Sequence, residues 1–245
     1  MTTRALPALC LSLLVSTAHA GTGDALLAQM DANTNKATDT ASKMSAKTMI
    51  PGKKPLEMVF TLRTKGPKRM VEFQSPGDMK GTRVLVMDRT QMYVFLPAYD
   101  KIRRIASHVN NQGFMGTMFA DADMSTTRFG DVYDAAQTGE TDLVTSLSLT
   151  IKAGEKAAYR RIDVDILKSN TLPAELRYFN EKGQHIKTET RTDYFCESEV
   201  CQPGVLKMVD HTRNDAWTTL TQTELVVNQG LSHDAFTTRA LRQGR

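Results

Sequence analysis

The chain carries none of the residue arrangements that mark chemistry at a fixed site. It has no nucleophile elbow, no zinc-type pairing of histidines and no phosphate-cradling glycine loop. Beyond His19, the histidines His108, His185, His211 and His233 are scattered, and each lacks a neighbouring motif, so they read as structural or solvated. Asp121-Ala122-Asp123 lacks the continuation of a calcium loop. Asp163 and Asp165 alternate with Ile162, Val164 and Ile166, which places them on the wet side of a strand. No catalytic residue, metal ligand or cofactor is therefore expected, and the chain does not read as an enzyme.

Cysteine is scarce as well, with three in 245 residues. Cys10 lies near the start of a short apolar run, Leu9 to Val15, rather than at its end, which argues against lipidation there. Arg4 precedes that run and Ala18-His19-Ala20 follows it. A basic start, an apolar stretch and a small-x-small site make a cleavable export signal, with the cut before Gly21. The run is far shorter than the roughly 20 residues a membrane-spanning helix requires. Residues 1–20 are thus expected to be a signal peptide and 21–245 a single periplasmic domain.

The other two cysteines, Cys196 and Cys201, stand in FCESEVCQPG, a spacing too wide for CxxC and without a second ligand pair. In an exported chain they are expected to form a disulfide that staples a hairpin loop. No later stretch is apolar enough to cross a membrane as a helix. The net charge of +4 is mild, and Lys and Arg are interspersed with Asp and Glu, so nucleic acid is not an expected partner.

What the chain does contain is alternation. Asp24 to about Lys43 has loosely helical spacing, with Thr and Asn enriched in its second half. From there the period becomes two. Leu56, Met58, Phe60 and Leu62 alternate with polar residues, as do Val71 and Phe73, then Leu147, Leu149 and Ile151. Such strands bury one face and wet the other, the pattern of an antiparallel sheet. Pro51-Gly52, Gly66-Pro67, Pro76-Gly77, Asp88-Arg89, Lys182-Gly183 and Pro203-Gly204 supply turns at hairpin intervals. About ten or eleven strands are predicted.

One connection departs from this pattern. Ser107 to Met124 holds Phe114, Met115, Met118 and Phe119 among glycines. It either caps one end of the sheet and buries itself in the core, or acts as a flexible apolar lid over a cavity. Thirteen methionines suit adaptable apolar contacts. Composition does not decide between the two.

Gln74 to Met124, with its "SPGDMKGT" turn, "YVFLPAYDKIRRI" and "FMGTMF", resembles the outer-membrane lipoprotein-sorting family of LolA-like periplasmic proteins, which are often related to the partners of large lipid exporters. The later order, "TLPAELRYFNEKGQHIKTE" and then "LVVNQGLSHDAFTTRAL", fits the same family. Two features depart from it, a shorter and more basic second-strand region and the Cys196/Cys201 loop. The resemblance implies a mainly β fold, an incomplete antiparallel β-barrel wrapped around helical elements with an apolar cavity inside. It implies a periplasmic carrier of lipid or of lipoprotein acyl chains toward the outer membrane, with an inner-membrane lipid exporter as a candidate partner. Leu56, Met58, Phe60, Leu62, Phe73 and Leu85 are the expected cavity wall, and Phe114, Met115, Met118 and Phe119 the expected lid. The alternative is a protein-binding module that docks a membrane lipid transporter and carries no lipid.

Overall fold

A computed structural model describes residues 20–105 and 113–244. The expected export signal apart from Ala20, with Cys10, and the first third of the Ser107–Met124 connection, with His108, lie outside these residues. Helix α1 (Ala20–Thr34) leads into strands β1 (Asp39–Met49), β2 (Leu56–Lys65), β3 (Lys68–Ser75), β4 (Arg83–Val86), β5 (Met92–Leu96) and β6 (Lys101–Ile105). After the short helix α2 (Asp121–Ser125) come β7 (Tyr133–Glu140), β8 (Val144–Ile151), β9 (Arg161–Leu167), β10 (Pro173–Phe179), β11 (His185–Glu197), β12 (Val200–Asp210) and β13 (Ala216–Val227), with α3 (Thr238–Gln243) last.

Thirteen strands, rather than ten or eleven, form one antiparallel sheet in the order β6-β5-β4-β3-β2-β1-β13-β12-β11-β10-β9-β8-β7. The long pairing of β1 with β13 joins its two halves. Strands β6 and β7 are the free edges, so the barrel is incomplete. No described helix is long and apolar enough to cross a membrane.

The helix ends early, at Thr34 within the Thr- and Asn-rich second half of the segment, and β1 begins at Asp39. β1 escapes an apolar-alternation test because its inward positions are Thr40, Ser42, Met44, Ala46 and Thr48, all buried and mostly small or polar. Its hydroxyls pair within the sheet: Thr40 with Thr64 and Thr48 with Thr218, each at 2.7 Å. Helix α1 sets Leu27 and Met30 into the core. It also lies so close to β7 that a β-carbon at Gly23 would collide with the Ala135 carbonyl. Asp24 is not the helix cap but accepts a bond from the Ala135 N–H (2.7 Å). Asp31 accepts two more, from the N–H groups of Phe129 and Gly130.

Five of the six expected turns join strands. Pro203-Gly204 does not, because it lies within β12 and the chain reverses at Ser198-Glu199 instead. Gly204 stands opposite Asp193 of β11, whose backbone is left-handed (φ 53), and a β-carbon there would come 2.7 Å from the Asp193 carbonyl oxygen. Cys196 and Cys201 sit directly opposite each other at the end of this hairpin and are joined by a disulfide.

Three apolar clusters hold the sheet. Inside the β7–β13 half, Leu27, Met30, Met118, Phe119, Tyr159, Leu176 and Tyr178 pack together. Inside the β1–β5 half, Met44, Met58, Phe60, Val71, Phe73 and Phe114 do the same. On the outside, Met70, Leu85 and Phe95 are covered by Phe236, Ala240 and Leu241 of the C-terminal segment. That segment is tied down by the buried Asp39, whose carboxylate accepts the N–H groups of Gln229, Gly230 and Leu231 at 2.9–3.2 Å.

Candidate functional site

Between the two inner clusters lies a cavity of about 270 Å³. One wall is apolar, made by Met44, Met58, Phe60, Leu62, Phe73 and Phe114. Its aromatic rings form a chain, with Phe60 and Phe73 centroids 5.5 Å apart and Phe73 and Phe114 6.4 Å apart. The facing wall adds Phe119, Ile162, Tyr159 and Tyr178.

Of the ten residues expected at a lipid site, six line this space: Met58, Phe60, Leu62, Phe73, Phe114 and Phe119. Leu85 does not. It pairs with Met70, one step out of phase with Val71 and Phe73, and therefore points outward under Phe236. Period-two alternation fails across β3 and β4 because both faces are buried there, one by the core and one by the C-terminal segment. Leu56 and Met115 pack against the β1–β5 cluster without lining the cavity.

Met118 is a core residue, 1% exposed. Its N–H donates to Thr218 Oγ1 (2.9 Å), and its carbonyl accepts from Lys187 Nζ (3.0 Å). Phe114 and Phe119 are also buried, and the Phe114 N–H bonds the Phe119 carbonyl, which closes the segment into a compact turn. The described part of the expected lid is thus a plug fixed inside the sheet.

Sequence reasoning missed the charged side of the cavity. Inward positions of β11 are Lys187, Glu189 and Arg191, with Thr188 and Thr190 on the opposite face. Arg191 Nε donates to Glu189 Oε1 (2.7 Å), and the Tyr178 hydroxyl donates to Glu189 Oε2 (2.6 Å). Burial works against the charge of Arg191, but Glu189 together with Tyr194 and Tyr178 outweighs it and holds the guanidinium firmly protonated. From the opposite half, Arg69 of β3 reaches in beside Arg191 and donates to the Met124 carbonyl (2.7 Å). Burial, and then the like charge of Arg191, lower the Arg69 pKa to about 10. Among the described residues no carboxylate forms an ion pair with Arg69.

Asp123 completes the polar set. It accepts bonds from the Ala120 N–H (2.6 Å) and the Tyr159 hydroxyl (3.2 Å), and burial pushes its pKa up to about 6 against the pull of Lys187. Nearer the rim, Thr40, Thr64, Gln202 and Gln222 line the space. Gln222 Nε2 and Thr34 Oγ1 are buried there without a hydrogen-bond partner among the described residues.

On the outer face, the structure gathers histidines that look scattered in sequence. His211 Nδ1 meets Asp215 Oδ1 at 2.6 Å, and Thr188 Oγ1 lies 2.9 Å from His211 Nε2 and 3.0 Å from His185 Nε2. These groups stand away from the cavity and largely in solvent.

A family model described only as an uncharacterized protein matches residues 65–243. No curated protein matches the chain. A DUF1329 family protein from Desulfovibrio piger shares the fold at TM-score 0.82 and 22% identity, over 90% of this chain and 98% of its own. A domain described as an outer membrane lipoprotein-sorting protein, from Vibrio parahaemolyticus, superposes at TM-score 0.83 and 21% identity, over 91% and 99%. A LolA superfamily protein from Nitrosomonas europaea follows at TM-score 0.74 and 17% identity, over 89% and 98%. The fold is that of the LolA superfamily structure, and because the family match spans most of the chain, this chain belongs to that family of proteins described only as uncharacterized.

Proposed function

We propose that the chain is a periplasmic carrier that takes up a lipid, or an acyl chain of a lipid-modified protein, and passes it toward the outer membrane. The observation that carries this reading is the apolar cavity held open between two packed clusters and lined by Phe60, Phe73 and Phe114. Its volume lies just below the roughly 300–1,000 Å³ of ordinary small-ligand sites, which suits one acyl chain rather than several. The similarity to a lipoprotein-sorting domain from Vibrio parahaemolyticus supports the same role, as does the export signal read from residues 1–20.

Energetics favour exchange over permanent binding. About ten buried methylenes contribute roughly 8 kcal/mol. Lost translational and rotational freedom costs at least about 4 kcal/mol of that. Tail burial alone therefore holds the cargo loosely enough to release it.

The test is direct. Protein purified from a periplasmic fraction without detergent should begin at Gly21 and release about one lipid chain per molecule on solvent extraction, read by mass spectrometry. It should also bind a fluorescent fatty acid saturably. Protein that carries no lipid and leaves the probe unbound would overturn the carrier reading and leave a module that docks a membrane transporter.

A further inference from the structure

The charged groups inside the cavity demand an explanation that tail burial does not give. A guanidinium in an apolar interior is costly unless it is paired. Arg191 has Glu189 for this purpose. Among the described residues Arg69 has only a backbone carbonyl, although a second arginine lies close enough for its charge to repel it. Among the described residues the other carboxylate on the cavity wall is Asp123, and it is engaged by Ala120 and Tyr159.

Register fixes where these charges stand. Arg69 pairs with Thr64, and Thr64 with Thr40, a row at the polar end of the cavity. Phe73 pairs with Phe60, four residues further along β3. At about 3.3 Å per residue, the aromatic wall begins roughly 13 Å from the arginine. Polar end and apolar end are thus separated along one strand, as the two ends of an amphiphile are. The amide of Gln222 and hydroxyl of Thr34 lie in the same cavity, two more polar groups without a hydrogen-bond partner among the described residues.

We propose that Arg69 and Arg191 form an anion seat inside the cavity, which takes the carboxylate or phosphate head of a single-chain amphiphile whose tail lies against Phe60, Phe73 and Phe114. This rests on the carrier reading and specifies its cargo. Two guanidinium groups from opposite halves of the sheet offer a fork of N–H donors that matches either anion. Arg191 remains held by Glu189, and Arg69 supplies the positive charge that the protein leaves uncompensated. A charged head in this position adds affinity to a loosely held tail and selects anionic cargo over neutral or cationic chains of equal length.

Isothermal titration of the purified protein with dodecanoate, dodecyl phosphate, dodecanol, dodecyltrimethylammonium and inorganic phosphate tests the seat. Charge-assisted bonds of this kind should make both anionic dodecyl ligands bind roughly ten- to a hundredfold tighter than dodecanol. The two anions compared with each other identify carboxylate or phosphate as the preferred head. Arg69→Gln should bring the anionic ligands to the affinity of dodecanol, while Arg69→Lys retains part of the preference. Dodecanol or the ammonium binding as tightly as dodecanoate would overturn the seat and leave a carrier indifferent to the head. Inorganic phosphate matching dodecyl phosphate would overturn the amphiphile in favour of a free anion. If none of the chains bind, the carrier reading falls with it. Should Arg69→Gln fail to fold, the comparison of heads on the unaltered protein decides the matter alone.

Discussion

Met118→Ala separates a plug from a lid more sharply than any other single change. Met118 is 1% exposed and packs with Leu27, Tyr159 and Tyr178. Its backbone is held at both polar atoms, by Thr218 and by Lys187. Truncation would leave a void among side chains fixed on the surrounding strands and on α1, so little collapse is available. Met-to-Ala changes in such surroundings cost about 2–5 kcal/mol. For a chain of this size each kcal/mol moves the melting temperature by about 2–4 °C, so a fall on the order of 5–15 °C is expected. Phe60→Ala, on a wall already open on one side, should weaken binding of a fluorescent fatty acid more and the melting temperature less. Thermal melts and probe titrations of both variants give the comparison. A Met118→Ala protein that melts like the wild type but no longer binds the probe would refute the reasoning and restore a movable lid.

Two further outcomes follow from the same geometry. Because burial raises Asp123 to about 6 from 3.8, the folded chain holds this proton more tightly than the unfolded one. Stability of the wild type should therefore rise, relative to Asp123→Asn, as pH falls from about 6 toward 4, and urea melts across that range that run parallel for the two proteins would contradict it. Replacing Cys196 and Cys201 together by Ser should cost about 2 kcal/mol, since the closed ring is short, and should leave ligand binding unchanged; two free thiols titrated in protein prepared without reductant would refute the bridge.

The sheet was legible because most strands obey a simple rule of apolar inside and polar outside. That rule located Met58, Phe60, Leu62 and Phe73, which do line the cavity. It failed where the physics differs. Strand β1 turns Thr40, Ser42 and Thr48 inward, and hydroxyl pairs across neighbouring strands satisfy Thr40 and Thr48 there. Leu85 was assigned to the wrong face because a C-terminal segment 150 or so residues later in the chain covers the outside of β4, a contact no local pattern announces. Strand β11 hid the most informative residues. Lys187, Glu189 and Arg191 alternate with Thr188, Thr190 and Thr192. A reader looking for apolar alternation sees none, yet charges of alternating sign at every second position, with threonine between, are themselves a pattern. Glu189 neutralises one neighbour and Tyr178 satisfies its second oxygen, which makes an inward charged face tolerable.

Those inward charges also line the space between the two inner clusters. The two inner clusters approach each other from opposite halves of the sheet, and apolar residues along the seam would let them merge into one core. Arg69, Glu189 and Arg191 line the space between them, beside Leu220, which packs against both clusters. They cannot be packed over by carbon without losing their partners and their access to water. A buried ion pair is often no more stabilising than well-packed apolar residues of similar volume, whereas removing one partner alone commonly costs about 3–5 kcal/mol. Glu189→Leu by itself should accordingly lower the melting temperature strongly, since Arg191 then faces Arg69 without compensation. Glu189→Leu combined with Arg191→Met should recover most of that loss, while binding of the fluorescent fatty acid falls as the seam closes. A double variant that melts as low as the single one, or that binds the probe as well as wild type, would show that the ion pair holds the sheet together rather than holding the cavity open.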